Sequence, residues 1–162
     1  MTPADWPAVA LIYAEGLATG DATFEDEPPA WDVWDAAHLK SCRVVAVSKE
    51  SGEEEVLGWA ALSPVSSRCV YGGVGEVSVY VAERARGRGL GRTLLNRLVV
   101  ESESAGLWTL QAGVFPENRA SIRIHERCGF RTVGVRERVG RLAGRWRDTV
   151  LMERRSPTVG AD

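Results

Sequence analysis

Histidine occurs only twice in the 162 residues, at His38 and His125, so no histidine-rich metal site can be assembled. Cysteine is nearly as scarce. Cys42, Cys69 and Cys128 are far apart and lack metal-ligand spacing, and their odd number argues against a closed disulfide framework, which leaves them as reduced core or surface residues. No apolar run approaches membrane-spanning length, and Met1-Thr2-Pro3-Ala4-Asp5 does not read as a signal peptide, so the cytoplasm is the default compartment. An excess of one charge sign is also missing: a formal net charge of -2 gives no global basic field for nucleic acid or a membrane surface. With no repeat and no linker, the chain reads as one domain able to bury a sizeable core, residues 1–153, followed by a polar tail over 154–162 expected to be disordered.

What the chain does have is a concentrated run of glycine and arginine. An apolar strand containing Val79, Tyr80 and Val81 leads into Arg86-Gly87-Arg88-Gly89-Leu90-Gly91-Arg92, and a helix-like run follows from Thr93 to Ala105. Glycines let backbone N–H groups approach a ligand closely, a helix start offers unpaired donors, and arginine supplies charge suited to phosphate. A Walker loop is excluded, because Arg86 stands where its first glycine should be and an arginine replaces its lysine. A dinucleotide fingerprint fails at Arg92, which fills the place of the third glycine. The spacing that fits is Arg86-x-x-Gly89-x-Gly91. The same residues would also serve as a plain turn with a solvated basic face.

Periodicity supplies the frame. Thr2, Pro3 and Asp5 read as a helix start, and Val9, Ile12, Tyr13 and Leu17 continue one face to about Thr19. A loop follows over Gly20–Pro29, then a second helix over Ala30–Lys40. Strands are expected over Arg43–Ser48, Val56–Ser63 and within Val70–Ala82, with a charged turn over Lys49–Glu55. A long helix ends at Gly106, Trp108–Phe115 is a strand, Asn118 caps a helix to about Cys128, and Phe130–Val139 and Arg145–Glu153 form a terminal strand pair. Helices dispersed among strands imply an α/β layered fold. Trp31, Trp34, Trp59 and Trp108 are read as core packing.

The loop spacing resembles the acyl-CoA loop of the GNAT superfamily of N-acetyltransferases. Further segments resemble the phosphinothricin and methionine sulfone/sulfoximine branch of that family: Ala22–Glu25, Gly58–Pro64, Glu76–Val81, Asn118–Glu126, Gly129-Phe130 and Gly144–Asp148. The resemblance covers nearly the whole chain and implies the acyl-CoA N-acyltransferase fold, a mixed central sheet flanked by helices. One departure stands out: the family's first strand is missing or very short, since the chain opens at a helix cap.

The resemblance also implies roles. Acetyl-CoA is the implied co-substrate and no metal is implied. The strand before the loop splays from its neighbour, so that Val79, Tyr80 and Val81 present backbone to the pantetheine, although the valines also suit plain core packing. Gly87, Arg88, Gly89, Leu90, Gly91 and Arg92 hold pyrophosphate, with Arg86 in support. Asn118 binds CoA as well as capping its helix. Glu76 is the expected general base, because a carboxylate taken partly out of water can hold a proton near neutral pH; a solvated strand-end glutamate or a structural ion pair is the plain alternative. His125 stands where relatives carry a tyrosine near the leaving sulfur, where it can donate a proton, contact CoA or pack on its helix. Phe24, Glu25, Arg68, Tyr71 and Trp146 are the expected acceptor contacts, Arg68 being suited to a carboxylate. Members of the branch form dimers, so a homodimer is implied. The expected reaction is acetyl transfer to a small amino-acid-like amine. A polyamine, an aminoglycoside or a protein N-terminus as acceptor, or a catalytically silent CoA sensor, are the competing readings.

Overall fold

The computed structural model describes residues 1–49, 52 and 54–160. A capping arrangement starts the chain: the Thr2 backbone N–H and hydroxyl both donate to the Asp5 carboxylate (2.6 and 3.0 Å), over a 3-10 turn at Pro3–Asp5. Helix α1 then runs Trp6–Leu17 and buries Val9, Ile12, Tyr13 and Gly16. Helix α2 is Trp31–Ala37, shorter than the sequence suggests. The reason is His38, whose backbone leaves helical geometry while its Nδ1 donates to the Trp34 carbonyl at 2.7 Å, taking the acceptor that a continuing helix would use.

Six strands follow: β1 (Arg43–Ser48), β2 (Glu55–Pro64), β3 (Val74–Val81), β4 (Thr109–Val114), β5 (Arg131–Leu142) and β6 (Arg145–Arg155). They form one sheet in the order β1-β2-β3-β4-β6-β5. Only β3 and β4 are parallel; such a pair needs a long crossover, which helix α3 (Leu90–Ser104) supplies. Helix α4 (Arg119–Arg127) links β4 to β5. This is the mixed α/β fold expected. Among the described residues no strand precedes α1, and β1 stands at the sheet edge with the Met1 ammonium donating to Arg43 O (3.3 Å).

Strand alternation sorts side chains onto two faces. One face packs α3 and α4 through Ala60, Leu62, Leu94, Leu95, Leu98, Leu110, Ala112 and Met152. The other packs α1 and α2 through Val9, Ile12, Tyr13, Trp34, Trp59 and Ala61. Trp34 and Trp59 are fully buried, and Trp108 lies over Gly73, so these tryptophans pack.

Two further local differences from the periodicity have clear causes. β5 and β6 are not two separated strands but a tight hairpin: Leu142 pairs with Arg145, and Ala143 and Gly144 both take positive φ (47° and 79°), which suits the right-handed twist of the flanking strands. The tail is not loose from Arg154 onward. β6 continues to Arg155, Ser156 N donates to Trp108 O (2.8 Å), and the Ser156 hydroxyl accepts from Thr158 and Val159 N–H. Of the turn expected over Lys49–Glu55, residues Glu50, Ser51 and Glu53 lie outside the described residues, as do Ala161 and Asp162 of the tail.

Gly73 fixes where β3 meets β4. Its carbonyl accepts from the Trp108 and Thr109 N–H groups (2.8 and 3.1 Å), and a Cβ there would fall 2.0 Å from the Trp108 ring. Gly73→Ala is expected to cost about 1–3 kcal/mol by forcing Trp108 aside. Thermal melting checks it; an unchanged midpoint would mean that Trp108 moves freely.

Candidate active site

The central geometric fact is a parting of strands. β3 and β4 pair only at Val74/Thr109, Gly75/Leu110 and Glu76/Gln111. Beyond that point β3 stays paired with β2 as far as Val81, and β4 with β6 as far as Val114, but not with each other. Ala82 N–H bonds Leu57 O across β2 (2.9 Å), so alternation turns the backbone groups of Val77, Val79 and Val81 toward the open seam. The side chains of all three valines pack toward α3. Tyr80 differs: its ring stacks on Trp59 (centroids 4.7 Å apart) and touches Tyr13 and Gly16, so its side chain lies on the α1 face.

At the end of β3 the chain turns through Gly87 and Gly89, both at positive φ (79° and 82°), and Gly89 caps α3. The first intrahelical bond is Thr93 N to Gly89 O, which leaves the N–H groups of Leu90, Gly91 and Arg92 without helical acceptors. Gly91 sits against Ile124 and Val81, where a Cβ would approach to 3.2 Å. Arg86 Nε donates to Val81 O (3.3 Å), steadying the loop, while Arg88 and Arg92 are exposed. A helix start with free N–H groups, a geometry suited to an anion, thus lies at one end of an unpaired strand edge.

Glu76 occupies the apex of the parting. It accepts a hydrogen bond from Gln111 Nε2 (3.1 Å), lies beside Gly113, and is half-buried on the α1 face. Asn118 is committed twice: Oδ1 accepts from Ser121 N–H (3.0 Å) as a helix cap, and Nδ2 donates to Asp21 O (3.1 Å). Helix α4 therefore holds the loop between α1 and α2.

His125 does not suit the expected proton donor. It is 2 % exposed, packs edge-on against Phe130, and burial pushes its pKa down, so the imidazole is neutral. Its Nδ1 lies 2.9 Å from Ser121 O, a carbonyl that can only accept, so the single ring proton is there and buried Nε2 has none to give. The residue packs its helix instead.

The acceptor-side residues divide. Phe24 packs edge-on against Phe115 (4.9 Å) and fits the notch left by Gly140. Glu25 lines a cavity of about 690 Å³ between the α1–α2 loop and the β5–β6 hairpin, with Thr23, Arg145 and Arg147. Beside it Tyr13 and Tyr80 form a hydrogen-bonded phenol pair with Thr23; burial foremost, with the Glu25 charge adding to it, pushes both pKa values up, so both stay protonated. Arg68 and Tyr71 are exposed in the β2–β3 connection, stacked on each other (5.7 Å), and do not line that cavity. Trp146 is 57 % exposed near the hairpin turn, under Arg141. The residue that sequence reading missed is Arg147, which lines the cavity and binds Asp21, Glu117 and Gly20 O. Its only signal was its place in the Gly144–Asp148 segment. Among the described residues no cluster of three or more His, Cys, Asp or Glu can hold a metal, and no helix is long and apolar enough to cross a membrane.

His38 and His125 both titrate below their ordinary value because burial disfavours the cation. The unfolded chain therefore takes up protons first as pH falls. Stability is expected to hold above about pH 6.5 and to decline below it, and His125→Gln should make the decline shallower. Thermal melts from about pH 8 to about pH 5 test this, and equal slopes would place the proton uptake elsewhere.

The acetyltransferase (GNAT) family model matches residues 11–130. The chain is 39 % identical over 158 residues to a phosphinothricin N-acetyltransferase of Alcaligenes faecalis, covering 93 % of this chain and 77 % of that one. It is 32 % identical over 156 residues to an L-methionine sulfoximine/L-methionine sulfone acetyltransferase of Pseudomonas aeruginosa, covering 93 % and 88 %. Among solved structures, a GNAT superfamily phosphinothricin acetyltransferase from Sinorhizobium meliloti in complex with acetyl-CoA superposes with a TM-score of 0.89 at 29 % identity, covering 100 % of this chain and 89 % of that one. An acetyltransferase from Salmonella typhimurium with acetyl-CoA gives 0.85 at 31 % identity, covering 96 % and 90 %. With its parted strands and glycine-rich helix start matched across so much of its length, the chain belongs to the acetyltransferase (GNAT) family.

Proposed function

We propose that the protein moves the acetyl group of acetyl-CoA to the amine of a small amino-acid-like acceptor of the phosphinothricin, methionine sulfone or methionine sulfoximine type. The observation that carries this reading is the seam between β3 and β4, open beyond Glu76 and ending at the unpaired N–H groups of α3. Its free backbone edge suits the amide-bearing pantetheine, and its helix start suits the pyrophosphate. Relatives named for amino-acid analogues support the acceptor class.

Acetyl-CoA supplies an activated acyl group as a thioester. This chain's residues do the rest. The Val79 N–H on the open edge donates to the thioester carbonyl and stabilises charge that develops on its oxygen. Glu76 removes the proton that the attacking amine must lose, and Gln111 holds the carboxylate in place. The new C–N bond forms as the C–S bond breaks, and the amine's proton passes by way of Glu76 to the departing thiolate. The Glu25 wall attracts an ammonium group, while Arg145 in the same cavity offers a counter-charge for a carboxylate.

A homodimer through the β5 edge belongs to the same reading. Val133, Val135, Val139 and Trp146 are large apolar side chains left exposed on the hairpin at that edge. Light scattering is expected to give twice the chain mass, and Val135→Lys to shift it toward the single-chain value; a wild-type monomer would end the dimer assignment.

Glu76→Gln is expected to lower turnover about 100-fold or more and leave acetyl-CoA affinity within about twofold, as loss of a base without loss of a binding contact requires. Thiol release from acetyl-CoA with a panel of amines measures both the turnover and the acceptor. Unchanged turnover in the variant removes Glu76 from the role, and no thiol release with any amine removes the transfer reading itself.

A further inference from the structure

The loop that carries Thr23, Phe24 and Glu25 is not held by its own backbone. From Asp21 to Pro29 no backbone–backbone hydrogen bond is made among the described residues. A segment of this kind has no internal reason to keep one shape. Yet it forms a wall of the cavity on which acceptor recognition depends.

Its most connected tether is one guanidinium. Arg147 Nη1 donates to Gly20 O (2.9 Å), and Nη2 donates to Asp21 Oδ1 (2.8 Å) and Glu117 Oε2 (3.1 Å). Its plane lies 4.1 Å from the centre of the Phe115 ring, and its side chain is only 18 % exposed. Phe115 in turn carries Phe24, and Phe24 rests in the notch at Gly140, the residue that pairs with Arg147 across the hairpin. The Asn118 amide adds one bond from α4 to Asp21 O. Acceptor loop, hairpin and the start of α4 therefore meet at a single side chain. Lysine cannot replace it in full, since an ammonium lacks the planar fork that serves several acceptors while stacking on a ring.

We propose that Arg147 is a positioning residue that sets acceptor affinity by clamping the Gly20–Glu27 segment against the hairpin and α4. It touches neither reacting group. This inference rests on the acetyl-transfer reading for its kinetic consequence, but the clamp itself does not. Arg147→Met is expected to raise the acceptor KM about tenfold, the scale of one charge-assisted bond, with acetyl-CoA KM within about twofold, and Arg147→Lys to fall between. A merely structural role would lower the melting temperature without separating the two KM values.

Cleavage after Glu25 by a glutamate-specific protease gives a readout independent of activity. Faster cleavage in Arg147→Met, with the rest of the chain intact, supports the clamp. Unchanged cleavage, an unchanged acceptor KM, or a parallel rise of both KM values overturns it. If the methionine variant does not fold, the same two comparisons are made between wild type and Arg147→Lys. If wild type acetylates no amino-acid analogue, the acetyl-transfer reading fails, and the protease comparison still decides whether Arg147 holds the loop.

Discussion

Everything distinctive in this molecule depends on two neighbouring strands that stop pairing partway along. Backbone N–H and C=O groups cannot be left unpaired in a core without cost. Here each strand keeps its outer partner over its full length, β3 on β2 and β4 on β6, so both halves stay rigid while only the seam between them opens. Three residue pairs close the seam at one end. Helix α3, the crossover from β3 to β4, puts Leu94, Leu95 and Leu98 into a core cluster that also holds Leu110, Ala112 and Met152 from the other half. The result is a fixed row of backbone groups without a strand partner, the feature on which the proposed acetyl-CoA site rests.

The two faces of the sheet divide the labour. On the α3 face, the valines of β3 fill the core and Gly91 brings the helix start close against β3 and α4. On the α1 face, Glu76 and Tyr80 share one side of the strand, because residues an even number apart share a face, and Tyr80 reaches Thr23 of the α1–α2 loop. The Tyr13–Tyr80 pair lies next to Glu25, and its raised pKa values keep it a neutral hydrogen-bonding surface beside an acidic wall. A charge separation is built across one cavity, with Glu25 on one side and Arg145 on the other.

Local chemistry was legible wherever a residue's role is set by near neighbours in the chain. The Thr2–Asp5 cap, Asn118 as a cap and the glycines at Gly87 and Gly89 behave as their types dictate. Reading failed where burial and side-chain contacts that periodicity does not show decide the outcome. His38 cut α2 short by bonding the Trp34 carbonyl and stacking on its ring, and periodicity carries no sign of that. His125 sits at a suggestive position, but helix packing buried it and its Nδ1–H donates to Ser121 O. Arg68 and Tyr71 do meet, yet on the surface rather than in the cavity.

The sequence by itself determined the layered α/β class, the glycine-arginine loop and the strand bearing Glu76, because these follow from periodicity, glycine freedom and family-like spacing within short segments. Only the tertiary structure decided that β3 and β4 part after Glu76, that Tyr80 faces α1 and the loop bearing Thr23, and that Arg147 gathers Asp21, Glu117 and Gly20 from segments more than a hundred residues apart in one case. The physical reason is the same for all three. Strand pairing, burial and multivalent charge contacts are properties of what packs against a residue, and no local pattern encodes the partner.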